Sequence, residues 1–98
     1  MTKYQPSPED LLEAVFSGQP NAIDDLAARF DTTLAGFLNG IVGDHDLAQD
    51  LLNEVWTELY MMRSSEAKLY HRDRAPAEGW LLALAGRRAY QWLTRPTK

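Results

Sequence analysis

The chain has 98 residues, enough for one domain that buries roughly two-thirds of its unfolded surface around a single core. It contains no cysteine, which excludes a disulfide framework, a cysteine-based zinc site and thiol chemistry. No apolar run approaches the roughly 18 residues of a membrane span and no charged-then-apolar leader follows Met1, so a soluble, cytoplasmic protein is expected. The formal charge of −4 is unevenly placed: residues 1–62 hold eleven acids and two bases, Lys3 and Arg29, whereas residues 63–98 hold eight bases and three acids. Such a division either presents two unlike surfaces to two partners or lets the two halves attract each other within the fold.

The first predicted element opens at Ser7-Pro8-Glu9-Asp10, with Ser7 as N-cap, Pro8 at the first helical position and Asp10 closing a box-like cap. Leu11, Leu12, Val15 and Phe16 supply its apolar side before Gly18 stops it. Pro20 then opens a longer helix in which Ile23, Leu26, Ala27, Phe30, Leu34, Phe37, Leu38 and Ile41 keep helical spacing down to Gly43. Asp44 or Asp46 caps a third helix that runs to about Arg63. At about 100° per residue, Leu47, Ala48, Leu51, Leu52, Val55, Leu59 and Met62 gather on one of its sides. Asp46, Gln49, Asp50, Asn53, Glu54 and Thr57 gather on the other, facing either water or a partner.

Ser64 to Ala77 has no clean period, mixes charges and ends in Ala75-Pro76, so it reads as a loop. A fourth helix starts near Pro76 and stops before Pro96, with Leu81, Leu82, Ala85, Ala89, Trp92 and Leu93 as its expected core face. There is no strand pattern, repeat or low-complexity tract, and the expected architecture is a compact, all-α four-helix bundle.

Catalytic and metal chemistry find little support in these residues. Asp46, Asp50 and Glu54 follow one another at four-residue steps, but side chains on one straight helix do not surround a hard cation, and no second cluster completes the ligand set. His45 and His71 have no cysteine or histidine partner at ligand spacing. No nucleophile elbow, Walker loop or dinucleotide fingerprint is present, so a non-enzymatic protein without a cofactor is expected. The basic half is more suggestive. Trp80, Arg87, Arg88, Gln91 and Arg95 on the fourth helix, with Tyr70, His71, Arg72 and Arg74 in the loop, mix guanidinium, amide and aromatic groups. That mixture suits unpaired nucleic acid, whose phosphates the arginines neutralise and whose bases the rings stack on. The alternative is that the rings pack on neighbouring helices and the arginines pair with the acidic half.

Three blocks stand out together: Gly18-Gln19-Pro20 with Ala22, Leu26 and Phe30; Asp46-Leu47-Ala48-Gln49-Asp50-Leu51-Leu52-Asn53-Glu54-Val55-Trp56; and Trp80-Leu81-Leu82-Ala83-Leu84-Ala85 through Arg95. In this combination they resemble region 2 of extracytoplasmic-function sigma factors of bacterial RNA polymerase. The likeness spans roughly Asp10 to Arg95 within a single region 2-like domain of residues 1–98, and order, separation and helical phase all agree. It implies an all-α domain that docks on the clamp helices of the polymerase β′ subunit and helps open promoter DNA at the −10 element. By position, Gln49, Asp50, Asn53, Glu54 and Thr57 would bind the polymerase. The Arg63–Ala77 loop, with Lys68, Tyr70, His71, Arg72 and Arg74, would hold a flipped −10 base of the single-stranded non-template strand, and Trp80, Arg87, Arg88, Gln91 and Arg95 would line its path.

The chain departs from the family's pattern at several of these positions. Gly86-Arg87 stands where the family commonly has Arg-Asn, Gln91 where it has Asp, Thr94 at a frequent basic position, and Asn53 where glutamine is usual. The family's second, −35-recognising domain is not in these 98 residues. The chain is therefore either a module of a longer sigma factor or a one-domain protein, which would pair with a separate subunit or act as a sigma mimic occupying an anti-sigma factor or the clamp.

Overall fold

A computed structural model of the chain describes residues 5–64 and 69–96. Those residues form four α-helices: α1 (Pro8–Phe16), α2 (Ala22–Val42), α3 (His45–Met62) and α4 (Ala77–Leu93), with no strand among them. The long α2 is the central element and packs against all three others.

The helix ends show why the chain breaks where it does. Ser7 Oγ accepts from the Asp10 N–H at 3.0 Å while Asp10 Oδ2 accepts from the Ser7 N–H at 3.2 Å, a reciprocal pair that satisfies two donors otherwise left open. Gly18, at φ +84°, turns the chain into α2. This second helix begins at Ala22, two residues beyond Pro20, which belongs to the preceding turn. Gly43, at φ +68°, closes α2 in the left-handed region and donates its N–H to the Asn39 carbonyl at 2.8 Å. Asp44, not Asp46, caps α3 by accepting the Leu47 N–H at 3.1 Å.

The start of α4 is capped from a distance. Pro76 is its N-cap residue and offers no side-chain bond, so the first helical N–H, that of Ala77, donates to Glu9 Oε2 of α1 at 2.8 Å. A carboxylate there also meets the positive end of the α4 dipole.

The core is mostly leucine and small residues, joined by Phe30 and Tyr70: Leu12, Leu26, Leu34, Leu38, Leu51, Val55, Leu59 and Leu81 are fully buried, with Ala85 and Ala89 on α4. The face of α4 is rotated from the expected one. Ala77, Leu81, Leu84, Ala85 and Ala89 are buried, Leu82 and Trp92 pack only partly, and Leu93 is exposed. Leu84 is drawn inward because α3 lies on its side of the helix, where the neighbouring Arg87 and Arg88 also reach α3 carboxylates. On α2, Phe37 and Ile41 are 37% and 40% exposed instead of buried. Phe37 lies along Gly86 of α4, where an added Cβ would stand 3.6 Å from its ring. Its ring therefore covers the flank of α4, and α4 continues unbroken through this glycine.

Candidate functional site

The outer face of α3 is built from both periodicities of the helix. Ala48, Leu51, Leu52, Val55 and Leu59 anchor it in the core, which leaves Gln49, Asp50, Asn53, Glu54 and Thr57 all exposed on one rigid side. The Thr57 hydroxyl donates back to the Asn53 carbonyl at 2.8 Å, so its proton is already engaged within the helix. Beside this face, α2 and α3 enclose an open groove of about 490 Å³ lined by Asp31, Thr32, Asn39, His45, Gln49, Asn53 and Trp56, with Ala35 and Gly36 among its small residues. The Trp56 indole N–H donates to Asp31 Oδ1 at 2.7 Å and ties the two helices at one end of it. Sequence reasoning placed Gln49 and Asn53 here but missed Asp31 and Trp56, which are 25 positions apart. Trp56 stands at the end of the block that carries the family likeness, whereas Asp31 has no local signal at all.

The residues expected to contact nucleic acid do not form one continuous surface. Arg63 turns to the α1–α2 corner, where its guanidinium lies 4.2 Å over the Tyr60 ring and donates to the Tyr60 hydroxyl at 3.0 Å; Gly18, Pro20 and Asp24 share that corner. Lys68 lies outside the described residues. Tyr70 is a correction: it is 1% exposed, its hydroxyl donates to the Ala75 carbonyl at 2.9 Å, and its ring meets Trp80 edge-on, so it cannot stack on a base without leaving the core. Burial pushes its phenol above the ordinary value, and nearby Glu9 adds to the shift while Arg72 opposes it.

His71 is half-buried, and its carbonyl accepts from the Arg74 and Ala75 N–H groups, closing the turn that carries Arg74 into solvent. Arg72 is held by α1, at 2.7 Å from Asp10 and 3.4 Å from Glu13, and the bond to Asp10 raises its already high pKa. Trp80 is half-buried between Phe16 and Tyr70. Gln91 is exposed, and Arg95 lies 3.9 Å over the Trp92 ring at the end of α4.

Arg87 and Arg88 meet α3 instead of solvent alone. Arg87 bonds Glu58 Oε2, and Arg88 brings Nε to 2.7 Å from Glu58 Oε1 and Nη1 to 3.7 Å from Glu54. The Arg88 Nε proton is not aimed well enough at Glu58 to count as a hydrogen bond, so this contact is charge proximity more than directed bonding. The ion pairs seen among the described residues all join an acid of the first 62 positions to an arginine beyond them. Of the two outcomes that the charge division allowed, attraction within the fold is thus realised for Arg72, Arg87 and Arg88.

One apolar pocket of about 360 Å³ opens beside this network, lined by Met62, Leu69, Trp80, Ala83, Leu84 and Arg87. Its size is at the low end for small-ligand pockets, and it combines an indole, aliphatic walls and one guanidinium at the end of the 69–76 segment. Only Trp80 and Arg87 of its lining were expected; Met62 read as a core position of the third helix, and Leu84 was not assigned to a face. Among the described residues no cluster of three histidine or acidic side chains could hold a metal ion, and no helix is long and apolar enough to cross a membrane. Comparison with protein-family models, curated proteins and solved structures gives no match.

Proposed function

We propose that this chain is a sigma region 2 module, which docks on the β′ clamp helices of bacterial RNA polymerase and contributes to −10 recognition during transcription initiation. The observation that carries the reading is the α3 face: the five residues that the family likeness assigns to the polymerase are all exposed, in phase, on a helix whose opposite side is fixed in the core. Acids and amides on such a scaffold recognise a charged coiled coil through hydrogen bonds and ion pairs, and the groove beside α2 extends the contact. The pocket between Trp80, Leu69 and Arg87 is the place that could receive an unstacked base.

Binding to a β′ clamp-helix fragment tests the docking half. Changing Asp50, Asn53 and Glu54 together to alanine is expected to weaken it by about 2 kcal/mol or more, the range of truncated interfacial hot spots. Unaltered affinity would remove this face from the interface.

A second reading is a sigma mimic or regulatory decoy that engages an anti-sigma factor or the clamp without reading promoter DNA. It is favoured by a specific observation: Tyr70 is buried and Arg72, Arg87 and Arg88 are already paired within the fold. Promoter-specific transcripts in a reconstituted initiation reaction would eliminate it. Failure to bind single-stranded −10 DNA at low salt would favour it.

A further inference from the structure

We propose that Glu58 is an internal counter-anion that holds the Arg87–Arg88 pair against α3, so that a nucleic-acid phosphate must displace it to bind α4. The proposal rests on the strand-binding part of the reading above and identifies what sets its strength. Glu58 stands where both arginines converge, with one carboxylate oxygen toward each, and its side chain is only 17% exposed while Arg87 and Arg88 remain 52% and 32% exposed. Both arginine side chains thus keep part of their surface in solvent, although Arg88 Nε itself is buried, while the anion they share is sheltered. Glu54, at 3.7 Å from Arg88, adds a weaker second charge to the same network.

Electrostatics gives this arrangement a definite consequence. A strand gains affinity from arginines by releasing counterions, and that gain is smaller where the cations already face a fixed carboxylate. Because Glu58 is sheltered, drawing both arginines away would leave its carboxylate without a partner, so a phosphate must offset that loss before it binds. Glu58 therefore tunes α4 toward weak binding that needs support from other contacts, and no other acid was found in contact with both arginines among the described residues. Its position on α3, one turn beyond Glu54, also places the regulator of the basic pair on the helix that carries the proposed docking face.

The test uses fluorescence anisotropy with a labelled single-stranded DNA oligonucleotide at two salt concentrations, comparing the unmodified chain with Glu58→Gln. Freed of its carboxylate, the pair should bind about three- to tenfold tighter at low salt, the scale expected of one or two weak ion pairs. The salt slope should steepen by about 0.7 for each phosphate newly contacted. Both gains should vanish when Arg87 and Arg88 are also changed to glutamine. Asp25→Asn, an equal charge change at an exposed position of α2, should leave binding as it was.

Equal affinity of Glu58→Gln and the unmodified chain overturns the counter-anion role and leaves strand binding standing, as does an equal gain from Asp25→Asn or one that survives loss of the arginines. Absence of binding by both proteins at low salt overturns the counter-anion role and strand binding together. Should Glu58→Gln lose helicity, Glu58→Asp, which withdraws the carboxylate by one methylene, makes the same comparison.

Discussion

A tyrosine at position 70 does structural work that a phenylalanine could only partly take over. Its ring fills the space between Trp80 and the loop, and its hydroxyl donates to the Ala75 carbonyl at the last bend before α4. Only the neutral phenol can donate that bond, and burial holds its pKa above the ordinary value of 10.0. The stabilisation is therefore complete below the ordinary value and is lost as pH rises from there through the raised one. Tyr70→Phe is expected to cost about 1 kcal/mol at neutral pH. In denaturant titrations the advantage of tyrosine over phenylalanine should shrink as pH passes about 10, the unfolded-state value. An advantage that is constant across that range would show that the phenol is not sheltered. Sequence alone offered Tyr70 as a stacking ring, because a tyrosine among arginines looks alike whether it faces a base or an indole from its own chain.

At the scale of the helix, local chemistry and tertiary context divide the explanation. The ends of α1, α2 and α3 follow from Ser7-Pro8, Gly43 and Asp44, whose effects act within one turn, and these were legible in the residues. The start of α4 near Pro76 was legible as well, but the group that caps it was not, because its first N–H is satisfied by Glu9, 68 positions earlier. The rotated face of α4 has a similar origin: alanine and leucine occupy most of its positions, so several faces are nearly equally apolar and the neighbours decide. The glycines of the helix interiors are open to direct test. A Cβ at Gly40 meets nothing within 4 Å and one at Gly86 meets the Phe37 ring at an ordinary 3.6 Å, while neither has positive φ. Gly40→Ala and Gly86→Ala are each expected to raise stability by about 0.5–1 kcal/mol, the helix-propensity difference. A loss at Gly86 measured by thermal unfolding would mean that Phe37 cannot give way at all. Among the proposed site elements, the α3 face was legible from its period, whereas the Trp80–Leu69–Arg87 pocket depends on how the 69–76 segment folds back.

For the molecule as a whole, the contrast between an acidic first part and a basic last part is spent in part within the fold. Asp10 and Glu13 of α1 take Arg72, and Glu54 and Glu58 of α3 take Arg87 and Arg88. Between these sites lies the bond from Ala77 to Glu9, which closes the chain from α1 to α4 across 68 positions. That closure has a kinetic consequence. The α2–α3 pair is joined by a two-residue turn and needs little loop entropy to form, whereas the α1–α4 clasp can close only after the rest of the chain has been placed. The clasp should then be absent from the folding transition state. In stopped-flow measurements Glu9→Gln is expected to speed unfolding and leave the folding rate nearly unchanged, while Asp44→Ala should slow folding. A folding rate that falls with Glu9→Gln would place α1 in the nucleus. If the clasp closes last, it also opens first, and the segment it releases is the one that positions Trp80 and Leu69: the lifetime of the pocket they line would be set by a single carboxylate contributed by another helix.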